Sequence, residues 1–203
     1  MDTIVISEPQ NGRSSTIRIA VPFIAGVLVA ACVVALGTGT AFAAPPTQGC
    51  VTAQLKPDAN CANSNLEDLW VSRDNLSRIN LSGANLPRAH MSGANLSGAN
   101  LSGATLLPDV DLSGTNLSGA NLYQAFLPHA NLAGANLSGA DLTIANLSDV
   151  DLSDANLSGA NLYHAFLPRA NLTRAKLSGA DFSGARWING RDCAQGSIGQ
   201  CKQ

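Results

Sequence analysis

From Leu66 onward an apolar residue returns at every fifth position, and few folds can absorb that period. The centres run Leu66, Val71, Leu76, Leu81, Leu86, Met91, Leu96, Leu101 and Leu106. One extra residue intervenes, and the register resumes at Leu112 and continues by fives to Leu177, Phe182 and Trp187, twenty-five centres in all. Ala stands two positions before nearly every centre, as at Ala84, Ala94, Ala120, Ala160 and Ala180; Asn or Asp stands directly before it, and Ser-Gly commonly follows. Five fits neither the 3.6-residue period of a helix nor the alternation of an isolated strand. It fits a coil in which each side of a square takes five residues. The centre and the Ala two before it then point inward, and four inward Leu side chains leave room for only a methyl-sized partner beside each. The Gly two after the centre suits a corner with positive φ. Coils stacked at about 4.8 Å give a rod of about six coils and about 30 Å.

This A-[N/D]-L-S-G pattern, which covers residues 64–188 almost without a gap, resembles the pentapeptide-repeat family. The resemblance implies an all-β fold, a right-handed quadrilateral (four-sided) β-helix. A disordered Ser/Gly/Asn tract would not keep Leu in register. A longer period lies on top: Leu86-Pro87-Arg88-Ala89, Leu127-Pro128-His129-Ala130 and Leu167-Pro168-Arg169-Ala170 recur about two coils apart, which makes residues 111–150 and 151–190 tandem copies. The same comparison locates the extra residue at Leu107 or Pro108.

The first fifty residues differ. Arg13 and Arg18 lead into an uncharged stretch, Ile19 to Leu36, followed by small residues ending Ala41-Phe42-Ala43-Ala44-Pro45. A basic region, an apolar run and an A-x-A site are the parts of a secretory signal peptide. Residues 1–43 are therefore expected to be a signal peptide cut after Ala43, or after Ala44. The rivals are an uncleaved membrane anchor and a lipoprotein cut before Cys32. The remaining cysteines, Cys50, Cys61, Cys193 and Cys201, form one pair at each end, and an even count in an exported chain reads as disulfides. Three pairings are possible; the local ones, Cys50 with Cys61 and Cys193 with Cys201, are expected because each closes a short loop. Residues 44–63 and 189–203 then cap the exposed ends of the β-helix, with Trp187 and the loop from Gly190 to Gly199 closing the lower one.

Chemistry is sparse. His90, His129 and His164 fall on separate ridges and do not converge as metal ligands would. No Ser has a His–acid pair beside it. No catalytic residue, cofactor or metal is expected, and the chain reads as no enzyme. A formal charge of −2 favours neither phosphate binding nor a strongly acidic surface. Unwrapping the coil brings Tyr123, Phe126, Pro128, Ile144, Tyr163, Phe166 and Pro168 around one corner, with Phe126 and Phe166 at the position that normally carries exposed Asn or Asp. Such a ridge marks a contact surface or a shielded corner. Another corner carries Arg88, His129, Asp149 and Arg169, which places Asp149 one coil from both His129 and Arg169. The expected function is that of a non-catalytic exported module of the cell envelope or extracellular space, binding an unknown protein partner or itself through the ridge. No nucleic acid is expected, and a membrane only if the N-terminal segment is uncleaved or lipidated. The alternative is a DNA mimic acting on DNA gyrase, as in gyrase-binding family members. Those are cytoplasmic and strongly negative, whereas ten Lys or Arg face twelve Asp or Glu after residue 43.

Overall fold

The computed structural model describes residues 3–6, 17–20, 50 and 55–203, and the chain divides into two compact units, Met1–Ala43 and Ala44–Gln203. In the first unit β1 (Thr3–Ile6) pairs antiparallel with β2 (Ile17–Ala20), Thr3 opposite Ala20 and Ile6 opposite Ile17. The apolar stretch beyond Ala20, Cys32 and the expected cleavage points at Ala43 and Ala44 lie outside the described residues. Among the described residues no helix is long and apolar enough to cross a membrane.

The second unit is a right-handed quadrilateral β-helix. Its faces are defined by parallel bridges between residues twenty apart, or twenty-one apart where a coil spans the extra residue, as in Asn85↔Thr105 and His90↔Asp111. Face A carries Asn60, Asn80, Asn100, Asn121, Asp141, Asn161 and Asp181. Face B carries Asn65, Asn85, Thr105, Phe126, Asn146, Phe166 and Arg186. Face C carries Trp70, His90, Asp111, Asn131, Asp151 and Asn171, and face D Asn75, Asn95, Asn116, Asn136, Asn156 and Lys176. The backbone is bonded coil to coil: the Leu81 N–H donates to the Asn100 carbonyl at 2.7 Å, and the Asn80 N–H to the Ala59 carbonyl at 2.8 Å.

The coil begins one side earlier than the register from Leu66 predicts. Asn60 bridges Asn80, and Cys61 sits inward at a centre with 1% of its surface exposed. A cysteine in place of Leu hides that side in the sequence. The extra residue lies at Leu107-Pro108: Arg88 donates to the Pro108 carbonyl, Asp109 turns the corner, and Val110 and Asp111 resume the register.

The centres are buried as the period requires, with Leu172, Leu177 and Trp187 of the last coil partly so. The rule that only a methyl fits two before the centre proves too strict, since Leu69, Ile79, Val110 and Val150 occupy that position at 0–2% exposure. Each is stacked beside Ala in the neighbouring coils, Ile79 between Ala59 and Ala99 and Val150 between Ala130 and Ala170. A larger side chain borrows the space its small neighbours leave.

At the lower end the chain turns back over faces A and B. The Phe182 N–H donates to the Ser197 carbonyl, Gly184 to Cys193, and Cys193 in turn to Ala185. Trp187 packs edge-on against Phe182 with ring centroids 4.9 Å apart. Cys193 and Cys201 stand at disulfide distance with their Cα atoms 5.1 Å apart, as do Cys50 and Cys61 at the upper end.

Candidate functional site

An asparagine directly before a centre can do two things. Its Oδ1 accepts from the backbone N–H two residues on, as in Ser97 N–H to Asn95 at 3.2 Å, which fixes the turn into the corner. Its Nδ2 donates to the residue one coil earlier. Nine asparagines make this second bond: Asn80, Asn85, Asn95, Asn100, Asn116, Asn131, Asn136, Asn156 and Asn171. The polar faces are therefore laddered side chain to side chain, which leaves their outer groups mutually satisfied.

The ladder breaks around one corner. On face B, Phe126 and Phe166 replace asparagine and flank Asn146, while Tyr123 and Tyr163 follow the face A centres at the same two coil levels. Tyr123, Phe126, Tyr163 and Phe166 are 39%, 40%, 39% and 41% exposed, and Ile144, on the coil between, 47%. The structure thus brings five of the seven sequence candidates to one surface. Pro128 is a correction: it is buried, and Pro168 is half-buried, because the position just after a centre is itself half-buried in most repeats and the proline ring closes back on its own backbone where the tyrosines reach outward.

Ile144 takes the corner position at φ 59°, where Gly is the commonest residue and other repeats carry Arg, Asp, Asn, Gln or His. Below it His164 lies edge-on to Tyr163, ring centroids 4.2 Å apart. The imidazole covers Gly184, where a Cβ would come within 2.5 Å of the ring, so only glycine admits the ring at this place. Behind it the surface falls into a shallow depression of about 560 Å³ lined by His164, Phe166, Gly184, Arg186 and Asp192. The Arg186–Asp192 ion pair, 2.9 Å, is part of its lining.

Charge elsewhere is paired one coil apart. Arg78 meets Asp58 at 2.7 Å, Arg88 meets Asp68 at 2.8 Å and also Glu67, Arg169 meets Asp149 at 2.6 Å, and Arg174 pairs with Asp154. The Arg169 guanidinium holds the Asp149 carboxyl below the usual carboxylate range, with a smaller contribution from the charge of His129. His129 itself makes no ion pair with Asp149 among the described residues, so half of the expected corner ladder is a direct contact. His90, His129 and His164 stand on separate columns, and among the described residues no three metal-ligating side chains converge.

One exposed aromatic was missed. Trp70, 70% exposed, stacks on His90 with centroids 4.0 Å apart at 29° on face C. The signal was the same as for Phe126: an aromatic where the repeat calls for asparagine.

The family described as pentapeptide repeats matches the chain in eight copies, over residues 75–106, 111–149 and 151–186. Among solved structures, the chain is similar to HetL, a pentapeptide repeat protein involved in heterocyst differentiation regulation from the cyanobacterium Nostoc sp. strain PCC 7120. The two share 36% identity over 66% of this chain and 68% of that one, with a TM-score of 0.27. A second pentapeptide repeat protein from Nostoc is 44% identical over 47% of this chain and 69% of its own, TM-score 0.28. Trypsin-treated QnrB1, a plasmid-mediated fluoroquinolone resistance protein, is 21% identical over 60% and 74%, TM-score 0.38. No curated protein matches the chain.

Proposed function

Because the chain belongs to the pentapeptide-repeat family, we propose that it is a non-catalytic interaction module, exported to the cell envelope or extracellular space, that holds a protein partner through its aromatic ridge. The carrying observation is the ridge itself: four rings, each about two-fifths exposed, on a rod whose other faces, the Trp70–His90 stack apart, are mainly laddered asparagine and paired charge. Contacts enriched in Tyr and Phe are where binding energy concentrates. Export rests on the basic, apolar and A-x-A order of residues 13–45 and on cysteine pairs at disulfide distance at both ends. Five of the acidic side chains, Asp58, Glu67, Asp68, Asp149 and Asp154, are matched by arginines one coil away, and ten Lys or Arg oppose twelve Asp or Glu after residue 43, which counts against mimicry of a uniformly negative duplex.

The test is the double change Phe126→Asn and Phe166→Asn. Asparagine is the regular residue of this column and can continue the amide ladder through Asn146, so the melting temperature should stay within a few degrees. Capture of envelope protein by the immobilised rod, or its self-association, should be lost. A variant that melts far lower would show the rings to be structural cover. Recovery of the intact chain from Met1 in a soluble cytosolic pool would overturn export.

A further inference from the structure

The ridge has a hydrogen-bonding character that its aromatic rings conceal. Beyond the first coil, three face asparagines lack a partner for Nδ2 among the described residues, namely Asn121, Asn146 and Asn161, and all three border the ridge. Asn146 lies between Phe126 and Phe166, which offer no acceptor, and Asn121 and Asn161 directly precede the centres that Tyr123 and Tyr163 follow. Their Oδ1 atoms are engaged by their own turns, accepting from Tyr123 N–H at 2.9 Å, Ser148 N–H at 3.0 Å and Tyr163 N–H at 3.1 Å. The ridge therefore offers rings and three amide donors beside them; its acceptors are the phenolic oxygens and Asp141, between Asn121 and Asn161, whose Oδ1 already accepts from Thr143.

The repeat distance selects among ligands. Like residues of the ridge recur every second coil, about 9.6 Å. An extended β-strand presents side chains to one face at about 6.7 Å, and an α-helix turns every 5.4 Å or so. A polyproline II segment turns in three residues, about 9.3 Å, and leaves every backbone carbonyl unbonded. Proline also has no N–H, so such a segment needs donors and no acceptors. Area points the same way. Four rings at about 80 Å² each, with Ile144, expose roughly 400 Å², about half of the ~800 Å² per partner of a standard protein interface. A narrow rod fits; a globular face or a second copy is underserved.

We propose that the ridge binds a proline-rich segment of a partner in the polyproline II conformation, one turn against each Tyr–Phe pair, with its carbonyls taken by Asn121, Asn146 and Asn161. Proline-rich segments dock on aromatic surfaces for the same reason, a preformed helix that loses little entropy. The inference rests on the reading of the ridge as a contact surface.

The experiment is calorimetric titration of the full chain with an uncharged oligoproline peptide, beside a Thr-Val peptide and a β-1,4-linked glucan oligomer. Oligoproline should bind saturably and the other two should not. Phe126→Asn/Phe166→Asn and, separately, Asn121→Asp/Asn161→Asp should each weaken it more than about tenfold. The aspartate variant keeps the turn bond and replaces the donor by a carboxylate, a residue that Asp141 and Asp181 already place in the same column. It therefore decides the matter even if the phenylalanine variant fails to fold. Absence of saturable oligoproline binding, or binding that neither variant weakens, overturns the inference. Binding of the glucan alone, lost in the phenylalanine variant, also overturns it while leaving the ridge as a contact surface.

Discussion

Ile144 is held at φ 59°, in a region where a β-branched side chain crowds its own backbone. Repeats under no other demand fill the corner with Gly, as at Gly134 and Gly139 on the faces before it. A residue that costs about 1 kcal/mol where glycine costs nothing, and stands exposed among four rings, is maintained for its surface. Ile144→Gly should therefore raise the melting temperature while weakening whatever the ridge holds; a lower melting temperature would make Ile144 a packing residue. The inward positions obey the opposite logic. Leu137 is fully buried among leucines and alanines, so Leu137→Asn should cost about 3 kcal/mol or more, from a lost side chain and an unpartnered amide. Ser138→Asn on the outer side should be nearly silent, and equal thermal shifts for the two would contradict the inward-outward register. Residue roles of this kind were legible wherever the residue repeats. Pro128 was misplaced because a period assigns a position without its depth, and Trp70 was passed over because it breaks the pattern only once.

At the scale of the single coil, the sequence carried nearly everything, since each side repeats the same five-residue solution and errors of register would flip Leu outward on every later face. What it did not carry was partnership between coils: which Asn finds an amide below it, and which Asp finds an arginine. Those depend on residues twenty apart and on the slip at Leu107-Pro108. The Arg–Asp pairs have a pH signature. Asp58, Asp68, Asp149 and Asp154 titrate below the ordinary 3.8, chiefly because an arginine one coil on donates to each carboxylate. A carboxyl with a native pKa below its unfolded value adds stability above the unfolded value. That contribution disappears as pH falls through the native one. The melting temperature should thus be level from neutral pH to the ordinary carboxylate range and decline only below it, more shallowly in Asp149→Asn/Asp154→Asn. A decline already under way near about pH 6 would instead place the histidines in control.

At the scale of the β-helix, the two ends are unlike its middle, and the lower end is only half closed. Over faces A and B the returning chain supplies the missing coil: Ser197 and Cys193 accept from Phe182 and Gly184, and Gly199 donates to Ala180. Over faces C and D the outward N–H groups of Leu172, Arg174, Leu177 and Gly179 have no backbone acceptor among the described residues. In the coil before, Leu152, Asp154, Leu157 and Gly159 donate to Asn171, Thr173, Lys176 and Ser178. Half-buried Leu172 and Leu177 mark the same gap. A short disulfide contributes about 2–3 kcal/mol by restricting the open chain, and here it holds the one segment that, among the described residues, covers the end. Amide exchange should read this directly, because opening is local and follows contact with solvent. In the oxidised protein Phe182, Gly184 and Cys193 should be protected, while Leu172, Arg174, Leu177 and Gly179 exchange quickly. In Cys193→Ser/Cys201→Ser, protection should be lost at Phe182 and Gly184 and kept at Leu137 and Leu142, two coils inward, since each coil is bonded mainly to its neighbours. If the change instead abolished protection through the central coils, the cap would be holding the whole stack together, and the β-helix would melt from its end as one unit.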